Sequence, residues 1–517
     1  MESEERREGR PDSDDNRAGG ANPRGPRGAG LRRLLRRPLT RGILVGAIVG
    51  CLAVGAMVLL APEDGRDGAE GSPGPEALAR TAVAAGVPAS LPDLAALITD
   101  REEHVRDHPQ DAESWAVLGA AYVERGRRLA DAEAYPRAER ALRTSLRAGR
   151  SAQALEGMAV LANARRDYRA ARGWAEAALG KDGRRWTAYG PLIEACTGLN
   201  DEKGAQRALD RLLELRSGPA VQARAAALYR DQGRREDAAA ALSDAAAAAR
   251  TPAERAAWLE RGGQLAWERG EREAALRHFQ EALRTDPDQR AAQAGQGRAL
   301  AALGRTTEAL SAYRTALEKR PEPQYALELG ELYESLGLGQ PARVQYDLLR
   351  ERVRTMAAGG VDESLVLGLF EADHGDPAEA VRRLRAEWKR QPGIAVADAL
   401  GWALHRAGND EEALRFAVRA TDEVHGGGVR SALYAFHRGM IERDLELSGP
   451  ARRHLQEALR INPYFSPLQA PVARRALNAL GEPPAVPLPE MSEDTADMEG
   501  PEGPEDPEGS QELEGSE

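Results

Sequence analysis

From about residue 110 to residue 465 the apolar positions recur at helical spacing, in stripes that come in pairs and then repeat. Aligned on the small residue that precedes each second stripe, the register runs Ala138, Ala171, Ala205, Ala238, Ala275, Ala309, Ala342, Ala380, Ala413 and Ala451, in steps of 33 to 38 residues. Self-similarity at that period predicts a stack of about ten helix-turn-helix units, each burying its apolar faces only against its neighbours. Small residues such as Gly119, Gly297, Gly330, Gly401 and Ala275 are expected where two antiparallel helices cross closely, with Tyr313 and Phe279 filling space toward the next unit. Pro287, Pro321, Pro392 and Pro463 are expected to end second helices, because proline cannot continue one.

The N-terminal pattern differs. Residues 42–61 hold no charged side chain over 20 positions, enough for one helix to cross ~30 Å of hydrocarbon. Eleven arginines precede this run, seven of them from Arg24 to Arg41, whereas Glu63, Asp64, Asp67 and Glu70 follow it. That asymmetry predicts a cytoplasmic N-terminus, a single-pass anchor in the cell membrane and extracytoplasmic repeats. Leu31, Leu34 and Leu35 alternate with Arg32, Arg33, Arg36 and Arg37, as in an interfacial helix for anionic headgroups. Lipidation at Cys51 and a twin-arginine signal at Arg36-Arg37 compete with the anchor. Ten mostly apolar residues continue past Cys51, and the region before the span is about 40 residues long, so an uncleaved anchor is the reading taken. Gly42, Gly46 and Gly50 fall on one side of the span and would let the helix of a second copy approach, giving a homodimer.

The expected organisation is therefore a basic disordered tail (1–41), the membrane helix (42–61), a stalk (62–92), the repeats (93–480) and an acidic disordered tail (481–517). Composition agrees with an all-α chain, since aromatics are only 4% and Ala and Leu are abundant. The net charge of −11 is mostly tail: residues 482–517 carry 13 acids and no Lys or Arg, leaving +2 for the remainder. Without a basic field, nucleic acid is set aside as a partner. Two cysteines, Cys51 and Cys196, exclude a disulfide framework.

Trp115, Leu118, Gly119 and Tyr122 match the first half of a W-x2-L-G-x2-Y unit. Gly304, Ala309, Tyr313, Ala316 and Pro321 match its second half, as do Gly270, Ala275, Phe279, Ala282 and Pro287; Gly439, Ala451, Ala458 and Pro463 close the series. On these residues the chain resembles the tetratricopeptide-repeat family. The resemblance implies a right-handed α-solenoid, a concave groove that binds proteins or peptides, and no catalysis. The first helix of each pair lines the groove in that family, which places Gln264, Trp267, Arg298, Glu331, Glu334, Trp402 and His405 as the expected groove contacts. The lysine and asparagine set with which some members clamp a peptide's C-terminal carboxylate is missing. Long steps, including extra residues around Arg127 to Ala132, imply lengthened turns.

No catalytic constellation, cofactor motif or metal set stands out: His104 and His108 share a helical face beside Glu102 and Glu103 but find no third ligand in sequence. The leading expectation is a membrane-tethered scaffold for protein partners. The alternative is an extracytoplasmic assembly factor or chaperone, because Leu91 to Leu118 resembles the repeat region of membrane-tethered cytochrome c maturation proteins.

Overall fold

The computed structural model describes residues 73–422 and 428–481. The expected membrane helix, with Gly42, Gly46 and Gly50, lies outside the described residues, as do both expected disordered tails apart from Gly481. Among the described residues no helix is long and apolar enough to cross a membrane.

Twenty-three α-helices and one 3-10 turn make up the described chain, with no strand. They run as antiparallel pairs: α1 and α2 (Pro75–Ala85, Leu91–Asp107), α3 and α4 (Ala112–Leu129, Ala134–Ala148), α5 and α6 (Ala152–Ala164, Tyr168–Lys181), α7 and α8 (Tyr189–Gly198, Glu202–Leu215). Next come α9 and α10 (Pro219–Asp231, Arg235–Ala247), α11 and α12 (Pro252–Glu268, Arg272–Thr285), α13 and α14 (Arg290–Ala302, Thr306–Lys319), α15 and α16 (Pro323–Ser335, Gly339–Ala358). The series ends with α17 and α18 (Ser364–His374, Pro377–Arg390), α19 and α20 (Ile394–Arg406, Asp410–Thr421), α21 and α22 (Ala432–Asp444, Ser448–Ile461) and the unpaired α23 (Gln469–Ala479). Within the region read as a stalk, residues 75–85 form α1, which packs on α2 and α3 as the first helix of a pair.

The register alanines explain the stack. All ten fall on second helices, α4 to α22, and none is more than 2% exposed. A side chain larger than methyl at that point would hold the two helices apart. The first helices answer with glycine. A Cβ on Gly297 would meet the Tyr313 ring at 2.7 Å, and one on Gly330 would meet Tyr346 at 2.3 Å. The rings of α12, α14 and α16 thus lie against bare backbone of the helices that precede them, and Phe279, Tyr313 and Tyr346 join one continuous core running from α11 to α17.

Helix ends are equally local in origin. Asp111, Ser151, Thr251 and Ser431 accept backbone N–H groups at the start of first helices, and Ser90, Asp167, Asp201 and Asp376 do so for second helices. Pro287, Pro321, Pro392 and Pro463 each stand two residues beyond the last residue of α12, α14, α18 and α22. The long steps are taken up mainly by helix. The extra residues near Arg127 extend α3 to 18 residues, α11 has 17 and α16 has 20, whereas most first helices have 13.

Successive turns of the superhelix rest on one another. Arg165 Nε donates to the Gly359 carbonyl (3.1 Å), and Arg166 binds the Asp362 carbonyl and the Glu363 carboxylate. Gln391 donates to the Arg166 carbonyl (2.7 Å) and accepts from the Tyr168 N–H (3.2 Å). Further along, Arg235 binds the Arg430 carbonyl and Asn462 Nδ2 donates to the Trp267 carbonyl (2.8 Å). These partners stand 194 to 225 residues apart, so the solenoid closes a full turn in about six pairs. Backbones touch along this seam. A Cβ on Gly359 would lie 2.4 Å from the Ala132 carbonyl oxygen, and one on Gly233 would lie 2.3 Å from that of Gly428.

Candidate functional site

Closure of the turns converts the concave face into a lumen of about 1330 Å³. Its wall comes chiefly from first helices, from the end of α3 through α7, α9, α11, α13, α15, α17 and α21 to α23. The register accounts for this wall. Residues 11 positions before the register alanine include Arg127, Glu194, Ala227, Gln264, Arg298 and Glu331; those 14 before it include Arg224, Arg261, Glu328 and His437. All ten line the lumen. Spacings of three and four put them on one helical face.

Four of the seven expected groove contacts line this space. Gln264 accepts from Arg298 Nη1 at 2.7 Å and donates to Glu268 at 3.0 Å. Trp267, 7% exposed, lies beneath the Arg298 guanidinium at 5.8 Å. Arg298 makes a two-point pair with Glu328 (2.7 and 3.2 Å), whose carboxylate also accepts from the Tyr313 hydroxyl at 2.9 Å. Burial opposes the charge on Arg298, but Glu328 more than offsets it and holds the guanidinium above its ordinary value. Glu331 is pushed up by burial, with His374 Nε2 at 3.7 Å opposing that shift.

The other three lie elsewhere. Glu334 sits outside the lumen, accepting from the Tyr346 hydroxyl at 2.7 Å. Trp402 is 3% exposed, stacked on His437 with ring centres 4.2 Å apart, and donates Nε1 to Asp373 at 3.0 Å. His405 is half-buried and pairs with Asp410 at 2.5 Å. Outside the lumen too, His104 stacks on His108 and bonds Asp111 at 3.0 Å; among the described residues no His, Cys, Asp and Glu group is arranged to hold a metal ion.

The lumen is densely charged, with nine arginines and ten carboxylates in its wall. Its carboxylates toward α15 and α17 are partnered: Glu328 by Arg298, and Asp373 by Trp402, Arg406 and Gln469. At the other end Arg127, Arg224 and Arg261 face the space with far fewer partners, and the column that holds Arg224 and Arg261 is absent from the expected contacts. Near α21 the buried His437 keeps Nδ1 on Asp398 at 3.0 Å and leaves Nε2 without a partner.

A family model described as tetratricopeptide repeat matches residues 262–322 and 296–350, from within α11 to within α16. Residues 262–350 match tetratricopeptide repeats. Among solved structures, a tetratricopeptide repeat protein from Parabacteroides merdae ATCC 43184 is 18% identical, with 51% of this chain and 99% of that chain covered at a TM-score of 0.31. None of the curated proteins matches. The lumen is the concave surface of the stacked helix pairs.

Proposed function

We propose that this tetratricopeptide-repeat protein is a membrane-tethered scaffold that holds extended polypeptide segments of its partners inside the lumen. The observation that carries the reading is closure. Because each turn rests on the last, the concave wall is reached through the lumen, whose 1330 Å³ exceeds the usual small-molecule pocket of roughly 300–1,000 Å³. A strand of polypeptide fits such a space and a folded domain does not. That favours clients engaged in an extended state, as an assembly factor or chaperone would engage them, over stoichiometric docking of folded proteins.

The tether and its topology rest on residues 42–61 and the arginines before them, which put the repeats outside the cytoplasm. The test is fluorescence anisotropy of the full chain in lipid nanodiscs with labelled extended peptides that are acidic, neutral or basic, against the same chain carrying Ala227→Trp. Ala227 lines the lumen, so the indole occupies peptide space. Binding of at least one peptide, lost in Ala227→Trp, is expected; binding that the substitution leaves unchanged contradicts the reading.

A further inference from the structure

Among the described residues most guanidiniums are committed to carboxylates or carbonyls. Arg298 has Glu328, Arg230 has Asp231 at 2.8 Å, and Arg166 has Glu363. Arg127 and Arg261 differ. Both line the lumen, and among the described residues neither makes a hydrogen bond or an ion pair. Arg261 has only the face of Trp258 beneath it, at 4.8 Å. Arg224, lining the same space, gives one N–H to the Gly86 carbonyl at 3.1 Å.

The three lie close enough to repel. Burial and then the neighbouring charge of Arg224 bring the Arg261 guanidinium down to about 10, with Arg127 adding to the effect. Burial depresses Arg224 likewise, whereas for Arg127 burial is more than offset by the nearby charges of Glu194 and Glu124, which hold its guanidinium above the ordinary value. Glu194 and Glu260 share this part of the lumen, and Glu124 and Glu156 lie near Arg224. Glu156 is bound to Arg185 and Thr187, while Glu194 and Glu260 hydrogen-bond to none of the three arginines. Half-buried cations without hydrogen-bonded counter-charges are costly unless a ligand completes them. Guanidinium forks are shaped for carboxylates.

We propose that Arg127, Arg224 and Arg261 form an anion-binding site in the lumen wall that takes the carboxylates of an acidic polypeptide segment. The assignment rests on the lumen reading above and names the chemistry it selects. Two sources supply that chemistry. One is a partner. The other is this chain's residues 482–517, with 13 acids and no Lys or Arg. The described chain ends at Gly481, seven residues beyond Arg474, which lines the same lumen. Thirty-six residues beyond that point reach up to about 120 Å when extended, ample to enter it.

The probe is fluorescein-labelled hexaglutamate, with a neutral Gly-Ser peptide and hexalysine beside it. Anisotropy is measured on the full chain in nanodiscs and on a chain ending at Gly481, in 50 and 300 mM NaCl as about one and several screening regimes. Hexaglutamate is expected to bind at least one of these two chains, more weakly in high salt. Arg127→Gln with Arg261→Gln should weaken it at least tenfold, and Arg261→Lys should weaken it less, with unchanged circular dichroism in each. Binding only to the chain ending at Gly481 makes residues 482–517 the resident ligand; equal binding to both chains makes the site a partner's. Failure of hexaglutamate to bind either chain, or binding indifferent to the glutamines, overturns the site. If the neutral peptide binds in that case, the lumen reading survives alone; if no peptide binds, both fall.

Discussion

The side-chain amide of Asn462 donates to the main-chain carbonyl of Trp267, 195 residues earlier, at 2.8 Å. It joins the end of α22 to α11, one superhelical turn below. Asn462 is 2% exposed, and its Oδ1 also accepts from the Tyr464 N–H at 2.9 Å. The bond is therefore shielded from water at both ends of the amide.

Asn462→Ala removes both hydrogen bonds and should lower the unfolding free energy by about 1–2 kcal/mol, while Asn462→Asp, which sets a buried carboxylate oxygen against the Trp267 carbonyl, should cost more than alanine. The Trp267 carbonyl retains the Gly270 N–H, which limits the loss. Equilibrium urea unfolding measures it, and an unchanged unfolding free energy in Asn462→Ala would show that the inter-turn bond contributes nothing.

The seam itself is tested at Gly359. Its φ of −78° suits any residue, so alanine there is not excluded by backbone conformation. The added Cβ would nevertheless stand 2.4 Å from the Ala132 carbonyl oxygen in the turn below. Gly359→Ala should leave the helix content unchanged and increase the radius of gyration seen by small-angle scattering. An unchanged scattering profile would mean that the turns do not touch there.

Glu363 makes the seam sensitive to pH. Burial pushes its carboxyl up to about 7, even with Arg166 bound to it, and Oε1 has no hydrogen-bond partner. The folded chain thus holds a proton that the unfolded chain, near 4.5, releases. Stability is highest below the unfolded value and declines as pH rises from there through about 7, by about 2–3 kcal/mol at most. Glu363→Gln should flatten that decline in urea melts run from pH 4.5 to 7.5. An equal slope in both proteins would rule out Glu363 as its source.

Topology is open to a direct assay. A tag placed after Glu517 and read in intact cells should be digested by added protease, together with the repeats, because the arginines preceding residue 42 favour the cytoplasmic side. Protection until the membrane is opened would place the repeats in the cytoplasm.

The repeat units were legible because their causes are local. One methyl-sized residue per pair and one proline after a helix end each act within a few residues, so Ala309 and Pro321 read correctly from the chain alone. The superhelical closure was not legible. It depends on Arg165 finding Gly359 and Asn462 finding Trp267 some 195 residues away, and nothing near either residue marks the pairing.

The lumen wall was half legible for a geometric reason. The expected contacts took positions 11 and 8 before each register alanine, as in Gln264 and Trp267 or Glu331 and Glu334. The face that turns inward is centred one step earlier, on positions 14 and 11, with position 7 completing it through Asp231, Glu268 and Asp373. Arg224 and Arg261 were missed by that rotation. Trp402 stands in the right column, yet beyond the stretch where that column borders the lumen, and its ring is buried against His437.

The account stands on polypeptide entering the lumen, and site-specific photocrosslinking tests this most directly. A benzophenone side chain at Ala227, in the lumen wall, is compared with one at Val344, which is 61% exposed and outside that wall. The account predicts crosslinks from position 227 to an added acidic or neutral extended peptide and none from position 344. Crosslinks from 344 alone, or from neither, would contradict it.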